Sequence, residues 1–108
     1  MALVTMRETK TVTVDVDWAG LALAVERRVM AKLQQDLLNW PDDLSMREMF
    51  VADAADGMAV CVLLEQGRWR EAESKIWHMD TAARDYVWEF IEGELGVDEL
   101  EFIRAQNG

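Results

Sequence analysis

The residues able to do chemistry are few and scattered. His78 is the only histidine and Cys61 the only cysteine, which leaves no Cys/His or His/His set for a zinc site. The helical spacing puts His78 opposite Trp69 and Ile76 and near Glu71 and Lys75. A surface imidazole is the plain expectation there, and a general base or pH switch is the sharper alternative. A base needs a nucleophile, and none is well placed: Ser45 fits a helix cap and Ser74 has no orienting partner. Cys61 sits in the apolar run Met58 to Leu64. No neighbouring base or helix N-terminus lowers its pKa there, so it reads as inert core.

Carboxylates are the remaining resource. Asp85, Glu89 and Glu92 recur at i, i+4 and i+7, a stripe of about 10 Å along one helix. Helical nucleotide hydrolases hold a divalent metal with paired Glu-x-x-Glu motifs from different helices. Only Glu89-Phe90-Ile91-Glu92 fits that pattern, and no second, inward pair accompanies it, so a solvated face is the default. Neither Gly93 nor Gly96 leads into a Gly-Lys-Ser/Thr phosphate loop. No catalytic residue, cofactor or metal is therefore expected, and the chain reads as non-enzymatic.

The distribution of charge is more informative than any motif. The 108 residues carry a net charge of −10. Residues 1–40 balance five acids with five bases, whereas 41–79 are net −4 and 80–108 net −6. Such a surface repels phosphate backbones and anionic lipid, which disfavours direct nucleic-acid or membrane binding and steers basic partners toward it. The plain alternative is that the acidity only keeps the protein soluble. A lone cysteine excludes an internal disulfide and favours a reducing, cytoplasmic compartment. The start lacks the apolar stretch of a signal peptide, and the run 58–64 is too short to span a bilayer.

The elements that position these residues follow from periodicity. Val12, Val14 and Val16 alternate with polar residues over Thr11–Asp17, the pattern of a half-buried strand. A strand needs a partner, either Ala2–Met6 in a hairpin or the same strand of a second chain. Asp17 suits an N-cap for an amphipathic helix over 18–40, with Trp18, Ala22, Val25, Val29, Leu33 and Leu37 inward and Pro41 as its stop. Ser45-Met46-Arg47-Glu48 has the form of a capping box, with Leu44 and Met49 as a staple, and Gly57 is expected to end that helix. Residues 58–64 fit either a buried strand or, as Gly67 favours, a helix end. Trp69, Ala72, Ile76 and Met79 share a face, with Glu71 and Lys75 as an outward i,i+4 pair. Asp80 or Thr81 caps a helix running to about Gly93, and Asp98 with Glu101 mimics a capping box for a last helix through Ala105.

The expected fold is thus mainly α, with some β: four to six helices in a compact bundle with an N-terminal β-strand or hairpin. It is one domain over residues 1–108, divided into a strand part (1–17), a long helix (18–40) and an acidic helical part (45–105). The stretch Leu63 to Ala72 resembles the turn between the two helices of a tetratricopeptide repeat, without a 34-residue period. The stretch Ala54 to Gly67 is similar to an ankyrin helix pair, two residues short between its glycines. Both resemblances imply a helix–turn–helix packing unit.

Five tryptophans are present. Trp18, Trp69 and Trp77 suit the core and Trp40 a helix end. Trp88 falls at the edge of its helix's apolar arc, beside the acidic stripe, where a tryptophan fills the margin of the core or, as the functional alternative, serves as an aromatic anchor. The expected partner-binding surface is Asp85, Trp88, Glu89, Glu92, Asp98 and Glu99. In size, acidity and paucity of motifs the chain resembles small accessory proteins of phages and mobile elements, among them anti-CRISPR and DNA-mimic inhibitors. That resemblance implies an inhibitor occupying a basic nucleic-acid-binding surface of a partner protein. The alternative is an assembly protein, a homodimer formed through the N-terminal strand or the long helix.

Overall fold

The computed structural model describes residues 16–107. Its elements are α1 (Trp18–Asn39), α2 (Leu44–Glu65), α3 (Trp69–Trp77) and α4 (Thr81–Asn107). Gly96 breaks α4 with φ +77°, so five helical segments are present and no strand occurs among the described residues. The expected strand or hairpin lies outside them apart from Val16 and Asp17, which lead into α1. No helix among the described residues is long and apolar enough to cross a membrane.

α1 begins where the sequence demands. The Asp17 carboxylate accepts from the Gly20 amide at 3.0 Å and satisfies one of the donors that every helix start leaves free. Leu21, Ala22, Val25 and Val29 are buried, and Trp18 and Leu33 pack partly buried against the same core. The cap of α2 is Asp43, not the expected Ser45: its carboxylate accepts from the Met46 amide at 3.0 Å. An aspartate carries full charge to the positive end of the helix, which a serine hydroxyl cannot match. The expected staple residues Leu44 and Met49 are both exposed.

α2 also runs straight through Gly57, where the sequence suggested an end. Gly57 is buried mid-helix, and a Cβ there would come within 3.2 Å of both Val29 methyls. The glycine therefore marks the close approach of α1 and α2. Residues 58–64 are helical, in favour of the second of the two readings. The true end is a Schellman motif: the amides of Gly67 and Arg68 donate to the Leu64 and Leu63 carbonyls, both at 2.9 Å, with Gly67 at φ +71°.

In α3 the residues Trp69, Ala72 and Ile76 are buried, followed by Met79. The expected Glu71–Lys75 pair is replaced by two others: Glu71 takes Arg68, and Lys75 reaches Asp56 of α2 at 3.3 Å. Trp77 was expected in the core but lies one residue, or about 100°, past Ile76, and is 56% exposed. α4 buries Ala83, Val87 and Ile91, and Leu95, Leu100 and Ile103 extend the core past the expected end at Gly93. Arg28 pins α4 to α1 by pairing with Glu94 at 3.0 Å and lying 6.0 Å from the Phe90 ring centroid.

Two glycine substitutions check this architecture. Gly67→Ala forces a β-carbon into the left-handed region and toward the Trp18 ring, 3.4 Å away, so it is expected to cost about 1–2 kcal/mol. Gly93→Ala, inside a helix and facing only the flexible end of Arg28, is expected to cost nothing or to gain up to about 1 kcal/mol. Urea unfolding monitored by circular dichroism measures both.

Candidate functional site

Two clusters of ionisable side chains emerge from this packing, one exposed and one gathered around a buried aspartate. The exposed one rides on α4. Ala83, Val87 and Ile91 face inward, so Asp85, Glu89 and Glu92 come out on the other side, and all three are exposed. Asp98 and Glu99, beyond the Gly96 break, are exposed as well. None of the five carboxylates takes an ion pair or side-chain hydrogen bond among the described residues. The helix beneath them is held by buried apolar contacts and by the Arg28–Glu94 pair, so the charges stand on a firm base.

Trp88 takes the first of its two expected roles, the margin of the core, and not that of a surface anchor. It is only 9% exposed, with its ring centroid 6.0 Å from Trp69 in an edge-on arrangement and 6.1 Å from Trp77. The Arg104 guanidinium lies 4.8 Å from its centroid, held by Glu73 at 2.9 Å. The wide indole fills the seam between α3 and α4, which an edge position on a helical projection does not reveal. The exposed aromatic of this region is Trp77, tilted against Trp88 with Arg84 5.4 Å from its centroid.

The buried cluster centres on Asp53, a residue that sequence reasoning passed over. Asp53 is 7% exposed on the inner face of α2, one residue from Ala54 and four from Gly57. Its carboxyl is pushed above the ordinary value of 3.8 by burial, then by the charges of Asp80 and Asp56, by a hydrogen bond with Asp80 and by the charge of Asp36. The Tyr86 hydroxyl is pushed up to about 12 by burial and by Asp53, Asp36 and Asp56. Two lysines offset the crowding: Lys32 pairs with Asp36 at 3.2 Å and Lys75 with Asp56. Lys32 also lies 5.1 Å from the Tyr86 ring centroid. The signal available in the sequence was positional, since Asp53 continues the inward face marked by Phe50 and Ala54.

The remaining reactive groups serve structure. Burial, then the charge of Glu26, pushes the Cys61 thiol up to about 12, far from a nucleophilic thiolate. His78 is exposed, and its Nδ1 sits 2.7 Å from the Ser74 carbonyl oxygen as a local cap. Among the described residues, no group of three or more His, Cys, Asp or Glu side chains is arranged to hold a metal ion. Comparison with family models, with curated proteins and with solved structures found no match.

The Asp53 cluster fixes a pH dependence. A carboxyl whose pKa is raised on folding binds its proton more tightly in the native state. The stability it contributes is full below 3.8 and is lost as the pH rises through the folded pKa. Asp53→Asn removes the charge while keeping the shape. It is expected to raise the melting temperature at pH 7 by roughly 4 °C, the shift that about 1 kcal/mol gives in a domain of this size. Calorimetric scans from pH 3 to pH 8 should show that gain shrinking toward the acid end.

Proposed function

We propose that this chain is a non-enzymatic protein-binding module whose acidic α4 face receives a basic surface on a partner protein. In its specific form the reading is an inhibitor, of the phage or mobile-element accessory type, that occupies a nucleic-acid-binding surface by standing in for phosphates. One observation carries it: Asp85, Glu89 and Glu92 form an exposed row, unpaired among the described residues, on a helix whose other face is buried through Ala83, Val87 and Ile91. Successive carboxylates are about 6 Å and 4.5 Å apart along the axis, a spacing suited to arginines and lysines that otherwise grip a nucleic-acid backbone.

The physics favours a charged partner over an uncharged one. Unpaired carboxylates on a helix form charge-assisted hydrogen bonds with guanidinium groups at little reorganisation cost. A net charge of −10 raises the encounter rate with a basic surface and makes binding sensitive to salt. Trp77, exposed close to this face, supplies the apolar contact that charge alone lacks, in keeping with the frequency of tryptophan at binding hot spots. The buried thiol of Cys61 and the locally bonded imidazole of His78 are disposed for packing and capping rather than turnover.

Capture of partners from a host lysate on the full chain, identified by mass spectrometry, tests this reading. A basic, nucleic-acid-binding protein is expected, and duplex DNA or RNA should compete with the chain for it. The triple variant Asp85→Lys, Glu89→Lys, Glu92→Lys should weaken that complex at least tenfold and flatten its salt dependence. Unchanged affinity in the triple variant would remove the α4 face from the account.

A further inference from the structure

α2 carries apolar residues on every side, its outer face included, although only an inward face is needed for the core. Its inner face meets α1, α3 and α4, yet its outer face is open. Leu44 is 70% exposed, Val51 51% and Val62 54%. Leu44, Glu48, Val51, Ala55, Met58 and Val62 follow one another at alternating steps of four and three residues, the heptad seam of a helix that packs against another helix. α1 repeats the pattern beside it: Leu23, Glu26, Met30, Leu33 and Leu37 step by three, four, three and four, with Leu23 and Met30 exposed and Leu33 also packed against the core. Between the two seams runs a groove. One end holds about 650 Å³ and is lined by Leu23, Met58 and Val62 together with Glu26 and Glu65. The other holds about 430 Å³ and is lined by Leu37, Leu44 and Val51.

We propose that a second copy of this chain covers the groove, so that the α1–α2 hairpins of two molecules pack face to face as an antiparallel four-helix bundle. Size, charge and register select this occupant. α1 and α2 have 22 residues each, about 33 Å of length. A face that long and about 20 Å wide buries on the order of 1,300 Å² across both copies, within the range of stable interfaces.

Charge points the same way. Helix α1 is net +1, with Arg27, Arg28 and Lys32 against Glu26 and Asp36, whereas α4 is net −5. Arg28 and Lys32 of α1 reach Glu94 and Tyr86 of α4. Leu23, Met30 and Leu37 lie roughly half a turn around α1 from them. Two molecules of like charge can therefore meet through the groove with their acidic faces turned outward.

The register supplies complementary ends. The Val29–Gly57 approach marks one level of the hairpin. Arg47 lies about 15 Å to one side of it and Glu65 about 12 Å to the other, from the helical rise. A two-fold axis near Met30 and Ala55, the middle of the apolar seam, brings Glu65 of each copy level with Arg47 of the other. An isologous interface makes that pairing twice.

Sedimentation equilibrium of the full chain at roughly 50 µM, above the micromolar range where an interface of this size associates, is the test. A mass of twice 12.4 kDa is expected, and it should persist in high salt. Val51→Lys and Leu23→Lys, both at exposed positions, should each weaken association at least tenfold with an unchanged circular dichroism spectrum. Glu92→Lys should leave it intact, which separates this surface from the one on α4. Glu65→Arg and Arg47→Glu should each weaken the dimer, and the double variant should restore it. A monomer throughout overturns the proposal, as does capture of a foreign helix by a monomeric chain. A dimer indifferent to Val51→Lys and Leu23→Lys, or no rescue in the double variant, also overturns it.

Discussion

The packing of one indole ring governs the rest of the molecule. Trp69 is buried at the start of α3, with Trp18 of α1 at 6.3 Å on one side and Trp88 of α4 at 6.0 Å on the other. Trp77 continues the series beyond Trp88. Three helices from distant parts of the sequence thus meet in one run of aromatic contacts, each favourable beyond its buried area. The cost is visible too: the Nε1 groups of Trp69 and Trp88 are buried without a hydrogen-bond partner among the described residues. Apolar area and ring contact outweigh those two unpaired donors, and the Schellman turn at Gly67 places Trp69 where it can make both contacts.

That hub divides the outside of the molecule into two surfaces of different character. On the α4 side, inward packing of Val87, Trp88 and Ile91 leaves carboxylates outward that pair with no cation among the described residues. On the α1–α2 side the core does not exhaust the apolar residues, and Leu44, Val51 and Val62 remain at the surface. Long-range charge acts on the first surface and depends on salt; contact area acts on the second and does not. On the two proposals made above, self-association and the meeting with a basic partner use different surfaces and do not compete.

Legibility from sequence depended on whether a feature was local. The α1 boundary was readable because Asp17 and Pro41 act on neighbouring residues, and the inward faces of α1 and α3 because helical period alone sets them. The α2 cap was misplaced by two residues because Asp43 and Ser45 are both competent caps, and only the conformation chooses between them. Gly57 read as a terminator because the approach of Val29, 28 positions away, is invisible along the chain. Trp77 was misplaced, and Trp88 left between two readings, for the same reason: the neighbouring helix decides which flank of each helix is covered. Asp53 escaped notice because a single aspartate in an apolar arc looks like an interruption. Its partners Asp36 and Asp80 come from elsewhere in the sequence.

On the proposed function, a basic partner meets the exposed face of α4 and not the apolar groove. Amide NMR of the isotope-labelled full chain, recorded during titration with the partner that the wild-type protein retains, tests this residue by residue. The account predicts that shifts and broadening concentrate around Trp77, Asp85, Glu89 and Glu92 and diminish as salt is raised, with Leu23, Val51 and Val62 unmoved. Perturbations concentrated along α1 and the outer face of α2, and insensitive to salt, would contradict it.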